Sequence, residues 1–89
     1  MTKILRATHI RDHVLELEFS DKTIGEYDFD PVLAKDTSLT RPLGDPAYFL
    51  RFFLELGALC WPNGLEFSAE ALRRELERAG RLRSVAHVA

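Results

Sequence analysis

The segment from Leu59 to Ser68, which reads LCWPNGLEFS, constrains the fold more than any other part of the chain. Pro62 fixes φ at the second position of a four-residue turn, and Asn63 and Gly64 accept the tight, left-handed backbone that follows. The pattern predicts a strand, a turn, a short strand and then a helix N-cap. We expect Trp61 to be buried where the last strand meets the last helix. No group in this segment is equipped for catalysis, so the motif is architectural.

Alternation of apolar and polar residues predicts a hairpin in the N-terminal third of the chain. Its strands cover residues 13–19 and 23–29, and the three-residue loop between them keeps both apolar sets on one face. Lys22 stands at the third loop position, which usually requires a positive φ. A further strand is predicted over residues 4–10. A second hairpin, over residues 52–56 and 58–61, is predicted to turn at Gly57.

Capping signals predict three helices. Asp30 before Pro31 indicates an N-cap and a single helical turn, and Asp45 before Pro46 indicates a short helix that ends at about Arg51. Ser68 is the expected N-cap of the last helix. Steps of three and four place an apolar stripe on that helix, and a C′ glycine follows it: Ala69, Leu72, Leu76, Ala79 and then Gly80.

Strands cluster before the helices, and the connections between strands are short. This order predicts an α+β fold, with a small, mostly antiparallel sheet whose one face is covered by two or three short helices. The 89 residues suit one domain. We expect this domain to span residues 1–80, and residues 81–89 to be a C-terminal tail. In that tail Leu82, Val85 and Val88 either add a helical turn, pair as an edge strand or fray.

Composition excludes several classes of protein. With 46% apolar residues one core forms without a disulfide or metal, and the single cysteine, Cys60, is expected to pack as a small apolar residue in a strand. The N-terminus has no long apolar run, so we expect neither a signal peptide nor a membrane span, and a soluble cytoplasmic protein. No zinc spacing or glycine-rich phosphate loop is present, and we expect no metal, cofactor or catalytic residue. A net charge of −2 argues against a dedicated nucleic-acid binder.

Charged residues form two candidate contact surfaces. Four carboxylates share the wet face of the first hairpin, and in the predicted register Glu16 lies opposite Glu26: Glu16, Glu18, Glu26 and Asp28. This face is either simply solvated, or it docks a cationic partner, holds a divalent ion weakly or serves a small enzyme. The basic surface lies on the last helix: Arg73, Arg74 and Arg78. Residues 69–89 hold five Arg against three Glu, whereas residues 1–68 hold 7 basic and 11 acidic side chains.

Histidines and aromatic residues supply the remaining candidates. His9 and His13 flank a turn, and we interpret them as a surface pair, with a two-histidine metal site as the alternative. Four rings crowd six residues, and one short helix and one strand cannot turn them all inward: Tyr48, Phe49, Phe52 and Phe53. They are either core with one or two half-exposed rings, or an exposed patch that meets a protein partner or a second copy of the chain.

The order of these motifs resembles a bacterial family of proteins of unknown function, number 2442. The resemblance rests on the first hairpin, on Pro42-Leu43-Gly44-Asp45-Pro46-Ala47-Tyr48-Phe49, and on Trp61-Pro62-Asn63-Gly64-Leu65-Glu66-Phe67-Ser68 with Leu72, and covers roughly residues 4–76. It implies a small soluble α+β domain without established activity that partners another small protein encoded beside it, in a toxin–antitoxin-like or regulatory role. Lys22 departs from the glycine that the family favours. The chain ends too soon for the helix-turn-helix domain that some members add.

These observations favour a small non-enzymatic domain that acts through protein–protein contact. The first alternative is a regulatory module that associates with nucleic acid through the C-terminal arginines. The second is a small enzyme or weak metal binder that uses the hairpin carboxylates, and it requires a pocket of at least about 300 Å³.

Overall fold

The computed structural model describes residues 1–85, which form an α+β fold with two antiparallel sheets. The first sheet has the strand order β1-β2-β3-β7, and the second has the order β4-β5-β6. The strands are β1 Ile4–Arg11, β2 Val14–Phe19, β3 Thr23–Asp28, β4 Phe53–Glu55, β5 Ala58–Cys60, β6 Glu66–Phe67 and β7 Arg83–Ser84. The helices are α1 Asp30–Leu33, α2 Pro46–Phe49 and α3 Ala69–Arg78, and a 3₁₀ turn spans Arg41–Gly44. The predicted fold class is confirmed, with the strands divided between two sheets.

The β2–β3 hairpin has the predicted register. Glu16 pairs with Glu26, and Leu15 and Leu17 point inward with no exposed surface. Lys22 closes the loop with φ of 69°, the left-handed conformation that glycine would adopt more easily. The apolar face of this hairpin forms one wall of the core.

Strand β1 pairs with β2 less regularly. Ile4 and Arg6 pair with consecutive residues of β2, and so do His9 and Arg11. Strand β1 therefore has one extra residue at Leu5 and another at Ile10. Each extra residue forms a β-bulge, which bends the strand and locally interrupts its ladder. At its N-terminal end β1 meets the second sheet, where the Ile4 N–H donates to the Gly57 carbonyl over 2.9 Å.

Trp61 lies at the centre of the core and is 1% exposed, as predicted. Its ring contacts four other aromatic rings at centroid distances of 5.5–6.4 Å: Phe29, Phe49, Phe52 and Phe67. The Trp61 Nε1–H donates to the Phe49 carbonyl over 2.9 Å. Gly64 has φ of 97°, and its N–H closes the predicted turn by donating to the Trp61 carbonyl.

Two of the three predicted N-caps are confirmed. The Asp45 side chain accepts a hydrogen bond from the Ala47 N–H, and the Ser68 hydroxyl accepts one from the Ala71 N–H. The prediction for Asp30 is wrong, because Phe29 is the N-cap residue and Asp30 is the first residue of α1. Asp28 explains the shift, since its carboxylate accepts the Asp30 N–H over 2.9 Å and so satisfies that amide from outside the helix.

The helix ends differ from the prediction at two places. Helix α2 ends at Phe49 rather than at about Arg51, because the Arg51 N–H bonds to the Tyr48 carbonyl in a tighter closing turn. Ala79, expected on the buried stripe of α3, is the exposed C-cap residue. Gly80 follows in the left-handed conformation, with φ of 69°, as predicted.

The chain after α3 returns to the first sheet. Arg83 and Ser84 form β7, which pairs with Ile24 and Thr23 of β3, and the Val85 N–H donates to the Lys22 carbonyl over 2.8 Å. Of the three behaviours considered for this segment, residues 83–84 show edge pairing. The expectation for Val88 concerns a residue outside the described part of the chain.

Candidate functional site

The four aromatic residues predicted as an interface divide between core and surface. Phe49 is 1% exposed and packs against Trp61, so the prediction that it belongs to an interface is wrong. Tyr48 is half-buried, and its hydroxyl accepts the Asn63 N–H over 3.1 Å, which ties α2 to the turn after Trp61. Phe52 is half-buried against Trp61, and only Phe53, at 41%, is strongly exposed.

The turn between β4 and β5 presents a second exposed apolar side chain. Leu56 and Gly57 form this two-residue turn with φ of 51° and 81°, the pair of positive values that a type I′ turn requires. Such turns favour Asn-Gly, because a left-handed conformation costs most other residues about 1–2 kcal/mol. Leu56 is nevertheless there and is 92% exposed. The hairpin therefore presents a leucine at a position that neither backbone preference nor core packing explains.

This turn is held firmly against the rest of the molecule. A Cβ atom at Gly57 would lie 2.6 Å from the Lys3 side chain, so the turn packs too closely there for any side chain. Lys3 is fixed in turn by Ser20, whose hydroxyl accepts the Lys3 N–H and whose N–H donates to the Lys3 carbonyl. Leu56 is consequently displayed on a fixed support.

The four carboxylates of the β2–β3 hairpin lie on its exposed side and are engaged by neighbouring groups. Arg6 pairs with Glu18 at 2.6 Å, Arg83 with Glu16 at 3.2 Å and Arg11 with Glu26 at 3.4 Å. Asp28 accepts the Asp30 N–H, the first amide of α1. Three arginines thus offset most of the charge that the sequence places on this face. Exposed pairs of this kind contribute little to stability, typically about 0–1 kcal/mol each.

The arginines of α3 lie among acidic residues. Arg73 donates to Asp21 over 2.6 Å and lies 3.6 Å from Glu77, while Arg74 and Arg78 are exposed. Burial alone would raise the pKa of Asp21, but hydrogen bonds from Thr23 and Arg73 lower it below its ordinary value. The same bond to Asp21 raises the pKa of Arg73. Arg73 is therefore committed to an internal tether between α3 and the β2–β3 loop.

A cleft of about 580 Å³ brings the two N-terminal histidines together. The cleft lies between the β1–β2 turn and the starts of α1 and α2, and its lining comprises His9, Asp12, His13, Asp30, Pro46, Phe49 and Leu50. Both imidazoles meet the Phe49 ring edge-on, His13 at a centroid distance of 5.0 Å and His9 at 6.1 Å. His13 Nδ1 bonds to the Asp30 carboxylate over 2.8 Å.

Proximity of His9 and His13 was predictable because they flank a tight turn. The contribution of Asp30 was not, because it comes from a different element and the sequence pattern assigned it to a helix cap. Within residues 1–85, no group of three or more histidine, cysteine, aspartate or glutamate side chains is arranged to hold a metal ion.

Comparison with known proteins identifies one family that matches this chain. A model of the family described as "Protein of unknown function (DUF2442)" matches residues 4–78, most of the chain. The chain belongs to the DUF2442 family. Comparisons with curated proteins and with solved structures give no match.

The Trp-Pro-Asn-Gly motif has a structural role in this DUF2442 protein. The Trp61-Pro62-Asn63-Gly64 element forms the turn over the core, and the Asn63 amide fixes it at two points: Nδ2 donates to the Leu39 carbonyl and Oδ1 accepts the Leu65 N–H. The matched region also contains the histidine cleft and the β4–β5 hairpin.

The thiol of Cys60 in this DUF2442 protein is buried in β5. Burial, together with the nearby carboxylates of Glu66 and Glu55, raises the pKa of this thiol. It therefore packs as a small apolar residue, as predicted, and is not poised as a thiolate. Among the helices of residues 1–85, none has the length and apolar character needed to cross a membrane.

Proposed function

We propose that this DUF2442 protein is a non-enzymatic interaction domain that docks another protein through the β4–β5 hairpin. The observation that supports this proposal is Leu56, which combines an unfavourable left-handed backbone with 92% exposure. Residues that break a local rule at a cost to stability are typical of functional positions. An apolar side chain on a fixed turn loses little conformational freedom when it binds, which suits an interface anchor.

The rest of the hairpin supplies apolar area and charge. Phe53 is 41% exposed and borders a shallow surface hollow of about 200 Å³, whose charged lining residues are Glu55 and Glu66. The surface that complements this one has an apolar centre and a basic rim. In a two-fold dimer the same patch meets itself, which would set these carboxylates near one another. This favours a different protein over a second copy.

The proposed action of the hairpin replaces the wider aromatic patch inferred from sequence. Of those four rings, Phe53 remains a contact residue, while Tyr48 bonds to the turn after Trp61 and Phe52 packs against Trp61. The buried, non-reactive thiol of Cys60 is compatible with the cytoplasm, where we place this interaction.

The test compares the wild type with Leu56→Asn. Asparagine adopts the left-handed conformation more readily than leucine. The free energy of unfolding of Leu56→Asn should therefore equal that of the wild type or exceed it by up to about 1 kcal/mol. It should also lose the anchor and bind the captured partner at least tenfold more weakly, since a hot-spot side chain is worth about 2 kcal/mol or more. Leu39→Asn is the matched control, because Leu39 is 43% exposed outside the hairpin.

The partner is captured from native cells with the wild-type chain as bait, then purified and measured by calorimetry with each variant. A partner that binds wild type, Leu56→Asn and Leu39→Asn equally would refute docking through the hairpin. Sedimentation velocity of the chain alone tests whether the partner is a second copy of it. Self-association that Leu56→Asn abolishes would overturn the choice of a different protein as partner.

A further inference from the structure

We propose that the cleft between the β1–β2 turn and helices α1 and α2 is a binding site for an organic cation. The ligand class is an ammonium or guanidinium group on a short apolar arm. This inference uses none of the hairpin residues, so it stands or falls independently of the proposed protein interface.

The apolar half of the cleft fits the arm of such a ligand. Pro46 and Leu50 form the exposed part of this wall, over the buried ring of Phe49, and the volume of about 580 Å³ lies in the range of small-molecule sites, roughly 300–1,000 Å³. Phe49 belongs to the core and is held by Trp61, whose Nε1–H bonds to the Phe49 carbonyl. The wall is therefore pre-formed.

The polar half of the cleft leaves two ring nitrogens open to a ligand. His9 Nε2 lies 2.9 Å from the Asp12 carbonyl, which only accepts, so His9 donates through this nitrogen. His13 Nδ1 likewise donates to the Asp30 carboxylate over 2.8 Å. Within residues 1–85, neither His9 Nδ1 nor His13 Nε2 has a hydrogen-bond partner. Each imidazole is thus anchored through one nitrogen, and its other nitrogen is open to a ligand.

Charge completes the match to a cation. Asp12 and Asp30 supply two carboxylates to the lining, and no lysine or arginine lines the cleft. The Asp12 carboxylate has no ion pair or hydrogen bond within residues 1–85. An anion would meet two negative charges here, whereas a cation meets two carboxylates. The apolar wall beside those carboxylates, which includes Pro46 and Leu50, favours an organic cation over a bare metal ion.

The experiment is a two-dimensional NMR titration of the ¹⁵N-labelled chain with butylguanidinium, butylammonium and butylurea, the last being uncharged and similar in shape. We expect saturable shifts of the His9 and His13 signals with both cations at pH 8, and no saturation with butylurea. Acetylarginine methylamide imitates an arginine side chain within a protein. If it binds more tightly than butylguanidinium, the natural ligand is a protein side chain; if it binds more weakly, the ligand is a free small molecule.

Asp12→Asn combined with Asp30→Asn tests the carboxylates with little change of shape, because asparagine tolerates the left-handed backbone of residue 12 and its oxygen still accepts from His13. This variant should bind both cations at least tenfold more weakly, with an otherwise unchanged amide spectrum. Asp36→Asn, which alters an exposed carboxylate outside the cleft, should bind as the wild type does. Equal binding of butylurea and butylguanidinium, or an affinity that the double substitution leaves unchanged, would overturn the proposal. If the double variant fails to fold, the comparison of butylurea with butylguanidinium on the wild type still decides.

Discussion

Trp61 is the residue on which both sheets depend. Its ring contacts Phe29, which follows β3, and Phe67, which lies in β6, so it packs against elements of each sheet. Its place in the core was predictable, because a lone tryptophan between a strand and a Pro-Asn-Gly turn has few other positions. Its hydrogen bond to the Phe49 carbonyl was not predictable, since no local pattern relates residues 49 and 61.

Trp61→Ala should lower the free energy of unfolding by about 3–5 kcal/mol, because it removes a large buried ring and leaves a cavity. Trp61→Phe is the informative companion variant. It retains an aromatic ring but deprives the Phe49 carbonyl of its donor, and it should cost less than the alanine variant. Urea unfolding followed by circular dichroism measures both. A Trp61→Ala chain that melts within a few degrees of wild type would contradict the central role of this ring.

At the scale of elements, periodicity predicted what is local and missed what is distant. The β2–β3 register, the turn at Gly57 and the caps at Asp45 and Ser68 follow from alternation, loop length and side-chain chemistry over a few residues. Pairings between separate elements, such as Arg83 with Glu16 and His13 with Asp30, bring together residues 67 and 17 positions apart. This is why the hairpin carboxylates looked free in the sequence, and why the histidine cleft could not be completed from it.

The tether between Asp21 and Arg73 predicts a specific dependence of stability on pH. The pKa of Asp21 is lower in the folded chain than in the unfolded chain. As pH falls below about 4, the Asp21 carboxylate is therefore protonated in the unfolded chain before it is protonated in the folded one. The contribution of the ionised carboxylate is fully present above that pH and is lost as pH falls through the lower, folded value. Asp21→Asn should therefore destabilise the protein at pH 7, and the gap to wild type should narrow at pH 2.5.

Urea midpoints at the two pH values measure this gap, and Asp36→Asn is the matched control, since Asp36 is largely exposed and its carboxylate pairs with Arg41, five residues along the chain. A gap between Asp21→Asn and wild type that stays constant from pH 7 to pH 2.5 would show that the carboxylate charge has no role in the tether.

For the molecule as a whole, β7 is the last strand that joins the first sheet within residues 1–85. Residues 1–80 were predicted as the domain, and β7 adds only two residues to the edge of the first sheet, through pairs with Thr23 and Ile24. We therefore propose that the domain folds without residues 83–89. The sequence left the behaviour of this segment open because edge pairing depends on how the chain turns after α3.

A chain that ends at Leu82 should remain folded, with faster hydrogen exchange in β3, whose edge it uncovers. A chain that ends at Val85 keeps β7 and should exchange as the full chain does in that strand. Hydrogen-exchange mass spectrometry compares the two. Loss of the cooperative thermal transition in the shorter chain would place the last strand inside the obligatory fold.

The two bulges of β1 bear on whether copies of this chain can associate along its outer edge. A straight outer strand exposes a row of unpaired amides and carbonyls, on which further chains add into fibrils. Strand β1 is eight residues long, and its extra residues at Leu5 and Ile10 interrupt that row twice and bend the strand. Copies of this chain therefore lack a continuous template for stacking strand upon strand, even though leucine and isoleucine side chains lie exposed along it.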